Sequence, residues 1–236
     1  MSEFRKHQQA AIEAVARHFS ATVERGKNPP DAYLQIGGKR VAVEVTAIQR
    51  RIADRGCPAE PRLRLDKVAL RVVRVLQANL NAVVPEGETV IVTITAPIRL
   101  AAKTTSELEE RIRACLMRRS RSVEVKDSIH GNQIQFLVVK GIPRRAAKVI
   151  GFVHNPDTDP GILLEMTRSL LERIGAAAGK RASARFAGDR WLVVAVEDEL
   201  PWVETYRQVY SRLSMPSDFK KIVMVVAGGR VETLTG

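Results

Sequence analysis

Apolar residues recur at helical spacing in several stretches of the chain. Over residues 3–25 apolar side chains fall three or four positions apart, which predicts an amphipathic helix that Gly26 ends. A second helix is predicted over residues 62–83, and its apolar stripe would consist of Leu65, Val68, Val72, Leu76 and Leu80. Further helices are expected at 105–119, 161–178 and 201–213, the first of them beginning at a capping box made by Ser106 and Glu109.

Runs rich in β-branched residues alternate with these helices. The first two runs, 31–36 and 41–46, flank Gly37-Gly38 and predict a β-hairpin. Further strands are expected at 89–96, 122–126, 133–140, 148–153, 191–196, 221–227 and 231–234. An early antiparallel pair followed by mixed helices and strands places the chain in the α/β class, with a mixed α+β sheet flanked by helices. No clean linker interrupts residues 1–236, so we expect a single domain.

The predicted hairpin sorts its side chains onto two faces, because successive residues of a strand point in opposite directions. Val41, Val43 and Val45 share the apolar face of the second strand. Asp31 and Glu44 belong to the polar faces of the two paired strands. Asp31 has a plain alternative role as a turn residue after two prolines. Glu44 could instead be an edge-strand charge that faces solvent and guards against aggregation.

Pro30-Asp31, followed on the next strand by Glu44-Val45-Thr46, resembles the motif of the PD-(D/E)XK nuclease superfamily, which has the restriction-endonuclease-like fold. That motif places an aspartate at the start of one strand and Glu-x-Lys on the next antiparallel strand. A helix precedes the pair of strands, and a third strand, a helix and a fourth strand follow it. The segments 89–96 and 105–119, with a later strand, are the expected counterparts here.

The resemblance implies metal-dependent hydrolysis of DNA phosphodiesters. Mg²⁺ or Mn²⁺ would be held by the carboxylates of Asp31 and Glu44 and by the main-chain carbonyl of Val45. Oxygen ligands of this kind suit such ions, which lower the pKa of an attacking water. The N-terminal helix would add a further acid, for which Glu13 is the expected residue.

The chain departs from the motif at Thr46, which occupies the position of the family's lysine. A threonine can hold a water molecule but brings no positive charge, and loss of a comparable electrostatic group costs about 10²–10³ in rate. Three interpretations stay open. A cation could reach in from Lys39, Arg40 or Lys67, the metal could act slowly without one, or the site could be inactive and the fold kept for binding.

The net charge of the chain predicts the kind of partner that it binds. The chain has 38 Lys and Arg against 26 Asp and Glu, which gives a formal net charge of +12. The excess lies within residues 1–150, since residues 151–236 contain as many acidic as basic side chains. A polyanion is the natural partner, so we expect nucleic acid, with DNA as the form that the motif implies. An arginine-rich bias of composition is the alternative.

The basic residues expected to contact nucleic acid lie in the hairpin and on the second helix. They are Lys39, Arg40, Arg64, Lys67, Arg71 and Arg74. The four helical residues recur three and four positions apart, as a phosphate-tracking face would require. A solvated helix face is the alternative interpretation. Aromatic residues make up only 5% of the chain, which argues against a base-stacking platform of the single-strand-binding type.

Other features of the sequence limit the class of protein. No run of about 18 apolar residues occurs, so we expect no membrane partner. Two cysteines cannot form a disulfide scaffold, and no apolar leader is visible, so we expect a cytoplasmic protein. A homodimer is left open. The rival functions are a catalytically inactive nuclease-fold protein that binds nucleic acid or a protein partner, and an unrelated α+β interaction protein.

Overall fold

The computed structural model describes residues 3–26, 30–48, 66–117, 123–142, 146–156, 159–179, 186, 188–196, 203–213 and 219–235. Within these ranges the protein is of the mixed α/β class, as predicted, with helices and two mixed sheets. The chain divides into two compact units. Unit 1 consists of Met1–Asp54, Glu172–Arg207 and Ser217–Gly236, and unit 2 of Arg55–Leu171 and Gln208–Pro216. The expectation of a single domain stays a prediction.

Helices and strands alternate along the chain much as the sequence predicts. The helices are α1 (Glu3–His18), α2 (Lys67–Leu80), α3 (Ala101–Met117), α4 (Pro160–Gly179) and α5 (Val203–Leu213). The strands are β1 (Thr22–Arg25), β2 (Ala32–Ile36), β3 (Lys39–Ile48), β4 (Glu88–Thr95), β5 (Val123–Ile129), β6 (Asn132–Lys140), β7 (Val149–His154), β8 (Arg190–Val196), β9 (Lys221–Val225) and β10 (Val231–Thr235).

Unit 1 is built on a six-stranded sheet in the order β1-β2-β3-β8-β9-β10. The first three strands form an antiparallel meander, β3, β8 and β9 run parallel, and β10 returns antiparallel. Helix α1 packs on one face, where Val15 meets a core that includes Leu34, Val43 and Val193. The stretch of chain that contains most of unit 2 lies between β3 and β8.

The predicted hairpin is confirmed. Strands β2 and β3 pair antiparallel from Ala32 opposite Val43 to Ile36 opposite Lys39. Gly37 and Gly38 form the turn with φ of 53° and 77°. Both angles lie in the left-handed region, which glycine enters without the steric cost that a side chain brings, so this pair of residues sets the register of the hairpin.

Helix α1 is shorter than its apolar pattern predicts. It ends at His18 rather than near residue 25, and residues 22–25 form β1 instead. The amide of Ala21 donates to the carbonyl of Ala16, which closes the last turn, and Ser20 follows the helix with φ of 51°. Thr22 and Val23 then pair with β2, an environment that suits β-branched residues better than a helix does.

Unit 2 is built on a four-stranded sheet in the order β5-β6-β4-β7. Strand β6 pairs antiparallel with β5 on one side and with β4 on the other, and β4 runs parallel to β7. Helices α2 and α3 pack on one face, where Leu76 and Leu108 meet a core that includes Val92 and Phe136. Gly151 on β7 permits this packing, since a Cβ added there would meet Val73 Cγ1 of α2 at 2.3 Å.

Two details of the unit 2 helices correct the sequence predictions. In α2 the buried stripe includes Val72, Leu76 and Leu80 as predicted, but Val68 is 52% exposed. Helix α2 begins beside Asp66, whose Oδ1 accepts from the Ala69 amide at 2.9 Å, and residues 62–65 lie outside the described part. In α3 the expected capping box is wrong, because the helix starts at Ala101 and Ser106 donates back to the Ala102 carbonyl.

One architectural expectation is also wrong. The segments 89–96 and 105–119 were expected to continue the sheet that begins with the hairpin, but β4 and α3 belong to unit 2. The strand beside β3 is β8, and β9 lies next to it. The helices described in the structure include none long and apolar enough to span a membrane.

Candidate functional site

Asp31 lies where β2 begins, at the edge of its pairing with β3. Its amide donates to the Val43 carbonyl at 3.0 Å, and its carboxylate Oδ2 accepts from the Val45 amide at 2.7 Å. The side chain therefore takes over a hydrogen bond that another residue of β2 would otherwise supply. An acceptor with negative charge makes this one of the stronger hydrogen bonds a backbone amide can form.

The carbonyl of Val45 points to the same side of β3 as Asp31. The Ala42 amide donates to Asp189 beside β8, while the Val43 carbonyl accepts from Asp31, so the polar groups of alternate residues point to opposite edges. Val45 therefore directs its carbonyl toward the β2 side, beyond the last pair of β2 with β3. Gln8 of α1 lies there, with Nε2 3.5 Å from the Val45 oxygen.

Glu44 is 2% exposed, and its carboxylate Oε1 lies 3.5 Å from Arg190 Nη2. Arg190 stands opposite Ala42 on β8, which puts it on the same sheet face as Glu44. The interpretation of Glu44 as a solvent-facing edge charge is therefore wrong, because β3 lies between β2 and β8. A glutamate this deeply buried requires a charged or hydrogen-bonding partner, and Arg190 supplies one.

Arg190 is the functional candidate that sequence reasoning missed. It is separated from Glu44 by 146 residues, and nothing local marks it as the partner. The guanidinium lies 5.1 Å from the ring centroid of Phe219, which adds a cation–π contact. One feature of the sequence could have indicated such a partner, namely a glutamate among valines in a predicted strand. A buried acid requires a buried partner, but the sequence does not say which residue supplies it.

Of the basic residues expected in place of the motif's lysine, Lys39 and Arg40 lie at the turn end of the hairpin. Arg40 is exposed at the hairpin, lies 3.7 Å above the Tyr33 ring and pairs with Glu24 at 2.9 Å. A hydrogen bond from Gln35, together with the charge of Arg40, lowers the pKa of Glu24. Lys39 is exposed in the same hairpin. Lys67 belongs to unit 2.

Thr46 is half-buried and, by strand alternation, belongs to the same face of β3 as Glu44. The structure does not bring Glu13 to these residues. Glu13 is exposed on α1, which packs on the opposite sheet face together with Val43 and Val45, and it accepts from Gln9 at 3.1 Å. Gln8, five positions earlier on α1, has a side-chain hydrogen bond to β3.

The oxygens at this site are of the kind that Mg²⁺ or Mn²⁺ binds. Asp31 and Glu44 offer carboxylates, and Val45 offers a carbonyl at the same strand edge as Asp31. Within the described ranges, no three His, Cys, Asp or Glu side chains cluster as a metal site would require. Glu44 also contacts Arg190 on the β8 side, whereas Asp31 contacts β3 from the β2 side. The donor chemistry fits a hard cation, provided that Glu44 turns from Arg190 toward Asp31.

The basic helix face is present on α2. Lys67, Arg71 and Arg74 are all exposed, while Arg64 lies outside the described residues. Val68 and Val75 are also exposed on this helix, at 52% and 38%. The face is therefore a mixed basic and apolar surface.

Comparisons of the chain with family models, with curated proteins and with solved structures give no match. The resemblance to the nuclease superfamily thus depends on the residues and geometry of unit 1 alone.

Proposed function

We propose that the protein is a metal-dependent nuclease of the PD-(D/E)XK type that hydrolyses DNA. The observation that carries this proposal is the arrangement at β3: Asp31 and Glu44 belong to one face of the paired strands, the Val45 carbonyl is directed to the Asp31 side, and a buried arginine lies beside the glutamate. Carboxylates on paired strands are suitable ligands for a metal ion that promotes phosphodiester hydrolysis.

The topology of unit 1 supports the same proposal. Along the chain, α1 precedes the β2–β3 hairpin, and β8 and β9 of the same sheet follow. Helix α5 lies between β8 and β9 in sequence, and its residues up to Arg207 belong to unit 1. This is the order of helix, hairpin, strand, helix and strand that the resemblance implies. Strands β8 and β9 take the positions for which residues 89–96 and a later strand were expected. The long segment between β3 and β8 explains why the sequence pattern did not reveal them.

Arg190 provides the positive charge that Thr46 lacks. Its guanidinium lies on the face of the sheet that carries Glu44, only one strand away. A cation held there by Glu44 and Phe219 is preorganised and would stabilise the negative charge that develops on a phosphate. Thr46, on the same face, can orient a water molecule through its hydroxyl.

A bound Mg²⁺ or Mn²⁺ would polarise the phosphoryl oxygen and lower the pKa of the attacking water. The residues that would hold the ion are Asp31, Glu44 and Val45, the last through its carbonyl. Asp31 is kept in place by the Val45 amide, and Gln8 Nε2 contacts the Val45 oxygen. Release of Glu44 from Arg190 would free the carboxylate for the metal ion and the guanidinium for the phosphate.

A second function is favoured by a separate observation. Both acids already have protein partners, since Asp31 accepts from an amide and Glu44 pairs with Arg190. These contacts would also suit a catalytically inactive nuclease-fold protein that binds nucleic acid, in which the acids only hold strands together. The basic surface of α2 would serve either function.

Cleavage of supercoiled plasmid, linear duplex and single-stranded DNA in Mg²⁺, Mn²⁺ or EDTA tests the proposal. We expect metal-dependent cleavage by the native protein, loss of at least about 10²-fold in Asp31→Asn and no change in Glu13→Gln, an acid outside the site. The Asp31→Asn/Glu44→Gln double variant should be inactive too. Equal cleavage by native protein and Asp31→Asn, or no cleavage at all, would rule out a nuclease at this site.

DNA binding at several salt concentrations tests the second function. Neutralising Lys67, Arg71 and Arg74 together should make the slope of log K against log salt shallower, by up to about 0.9 for each phosphate that the helix no longer neutralises. A binding protein without catalysis would give this change in slope while cleaving nothing. An unchanged slope would remove α2 from the interface.

A further inference from the structure

One face of the unit 2 sheet carries a row of polar side chains across all four strands. Ser128 stands opposite Gln133, and Thr95 stands opposite His154. Because Ile94 lies opposite Ile134, the next residue Thr95 is the neighbour of Gln133. The row therefore crosses the sheet from β5 to β7, on the face opposite the core that contains Ile134.

At the β7 end of this row, Thr95 and His154 form a hydrogen-bonded pair. His154 is 1% exposed, and its Nδ1 lies 2.8 Å from the Asn155 carbonyl, which can only accept. Nδ1 thus carries a proton, and in the neutral ring Nε2 is an acceptor. Thr95 Oγ1, at 3.3 Å, donates to it. The lone pairs of Thr95 are left as acceptors for another group.

A second acceptor lies one row away on the same face. Gln135 Oε1 is buried, and it accepts no hydrogen bond from the residues that the structure describes. A buried acceptor without a donor is costly, by about 1–3 kcal/mol. Gln135 and Thr95 both line a cavity of about 320 Å³, together with Lys126 on β5 and Pro160 at the start of α4.

We propose that this cavity binds a nucleotide through the exocyclic amino group of its base. Two neighbouring acceptors, Gln135 Oε1 and Thr95 Oγ1, require a ligand with N–H donors. A volume near the lower end of small-molecule sites suits one nucleotide. Lys126 is exposed and pairs with Glu124 at 3.6 Å. A phosphate at the rim would compete with that carboxylate for the ammonium group.

The inference goes beyond the proposed nuclease and does not depend on it. The cavity belongs to unit 2, and binding is measured with metal removed. Failure of cleavage at Asp31 would leave this site untouched, and failure of nucleotide binding would leave the nuclease untouched.

Calorimetric titration in EDTA compares AMP with purine riboside 5′-monophosphate, which keeps the ring and lacks the amino group. We expect AMP to bind at least about fivefold more tightly, the value of one net hydrogen bond. Gln135→Leu should abolish this preference by weakening AMP alone, and Gln135→Glu, which keeps the acceptors, should retain it. Gln77→Leu is the matched control, since that glutamine contacts the Val149 carbonyl outside the cavity.

Three results would overturn the proposal: no binding of AMP at millimolar concentration, equal binding of the two nucleotides by the native protein, or an unchanged preference in a folded Gln135→Leu. Thr95→Val gives an independent test. This substitution removes the hydroxyl of Thr95, so AMP should bind several-fold more weakly. An unchanged affinity for AMP would contradict the role given to Thr95.

Discussion

The two sheets of this protein both bury polar groups beside parallel strands, but with different chemistry. In unit 1 the groups are charged, since Glu44 on β3 faces Arg190 on β8. In unit 2 they are neutral, since Thr95 on β4 faces His154 on β7. A buried charge pair is costly to desolvate, and removing one of its two partners strongly destabilises the fold. Hydroxyl and imidazole groups are less costly to bury.

This difference separates what the two sites can do. The charged pair offers a carboxylate to a metal ion and a guanidinium to a phosphate, which is why we propose hydrolysis of a polyanion for unit 1. The row in unit 2 offers directional acceptors, which is why we propose recognition of a small ligand there. The comparison predicts that stability in unit 1 depends on charge pairing and that stability in unit 2 depends on packing.

The largest effect is expected from Arg190→Met. It leaves Glu44 buried without its arginine, so the free energy of unfolding should fall by about 3–5 kcal/mol in denaturant titrations. Arg40→Met is the matched control, because its ion pair with Glu24 is exposed and such pairs contribute little to stability. The double variant Glu44→Leu/Arg190→Met should recover most of the loss. A loss in Arg190→Met as small as that in Arg40→Met would contradict the stabilising role given to the buried pair in unit 1.

Gly151→Ala tests packing in unit 2. The new methyl group would meet Val73 at 2.3 Å, and overpacking of a core costs about 1–3 kcal/mol. Thermal or chemical unfolding measures the loss, and Val73→Ala in the same chain should restore part of it. A Gly151→Ala protein as stable as the native one would mean that α2 does not pack on β7 as described.

Two variants of Asp31 distinguish its structural role from the proposed metal-binding role. Asp31→Ala removes the acceptor of the Val45 amide, and we expect a loss of about 1–2 kcal/mol in unfolding free energy. Asp31→Asn keeps an acceptor oxygen and should lose clearly less stability, although it should lose metal-dependent cleavage. If Asn and Ala destabilise equally, the hydrogen bond to Val45 does not hold the strand start in place.

The smallest effect concerns Glu109 of α3. Hydrogen bonds from Asn79 at 2.8 Å and from Arg113 lower the pKa of this carboxyl below its ordinary value of 4.5. Its stabilising contribution is therefore fully present above pH 4.5 and is lost as pH falls through the lowered pKa. We expect Glu109→Gln to cost about 0.5 kcal/mol at about pH 7 and less at acid pH. A difference that stays constant from neutral to acid pH would contradict this assignment.

The hairpin could be predicted from the sequence because its determinants are local. Gly37-Gly38 between two β-branched runs sets both the turn and the register. The end of α1 could not, since residues 22–25 have a helix-compatible pattern and become a strand only by pairing with β2. Pairing of that kind is decided by tertiary contacts rather than by periodicity.

The candidate site was predictable only in part, for a similar reason. Asp31 and Glu44 are linked by a short turn, so strand alternation places both on one face. Arg190 comes to Glu44 across 146 residues, with much of unit 2 between them in the chain. No periodic pattern links positions so far apart. Periodicity gives the faces of α1 but not the side of the sheet on which it packs, so it could not place Glu13 relative to Asp31 and Glu44.

Mn²⁺ binding followed by electron paramagnetic resonance is the most direct test of the central claim, that Asp31, Glu44 and Val45 form a cation site. The signal of free Mn²⁺ should fall as native protein is added, and Glu13→Gln should bind equally well. Asp31→Asn should leave the signal of the free ion unchanged. Binding that survives in Asp31→Asn, or no binding by the native protein, would contradict the account.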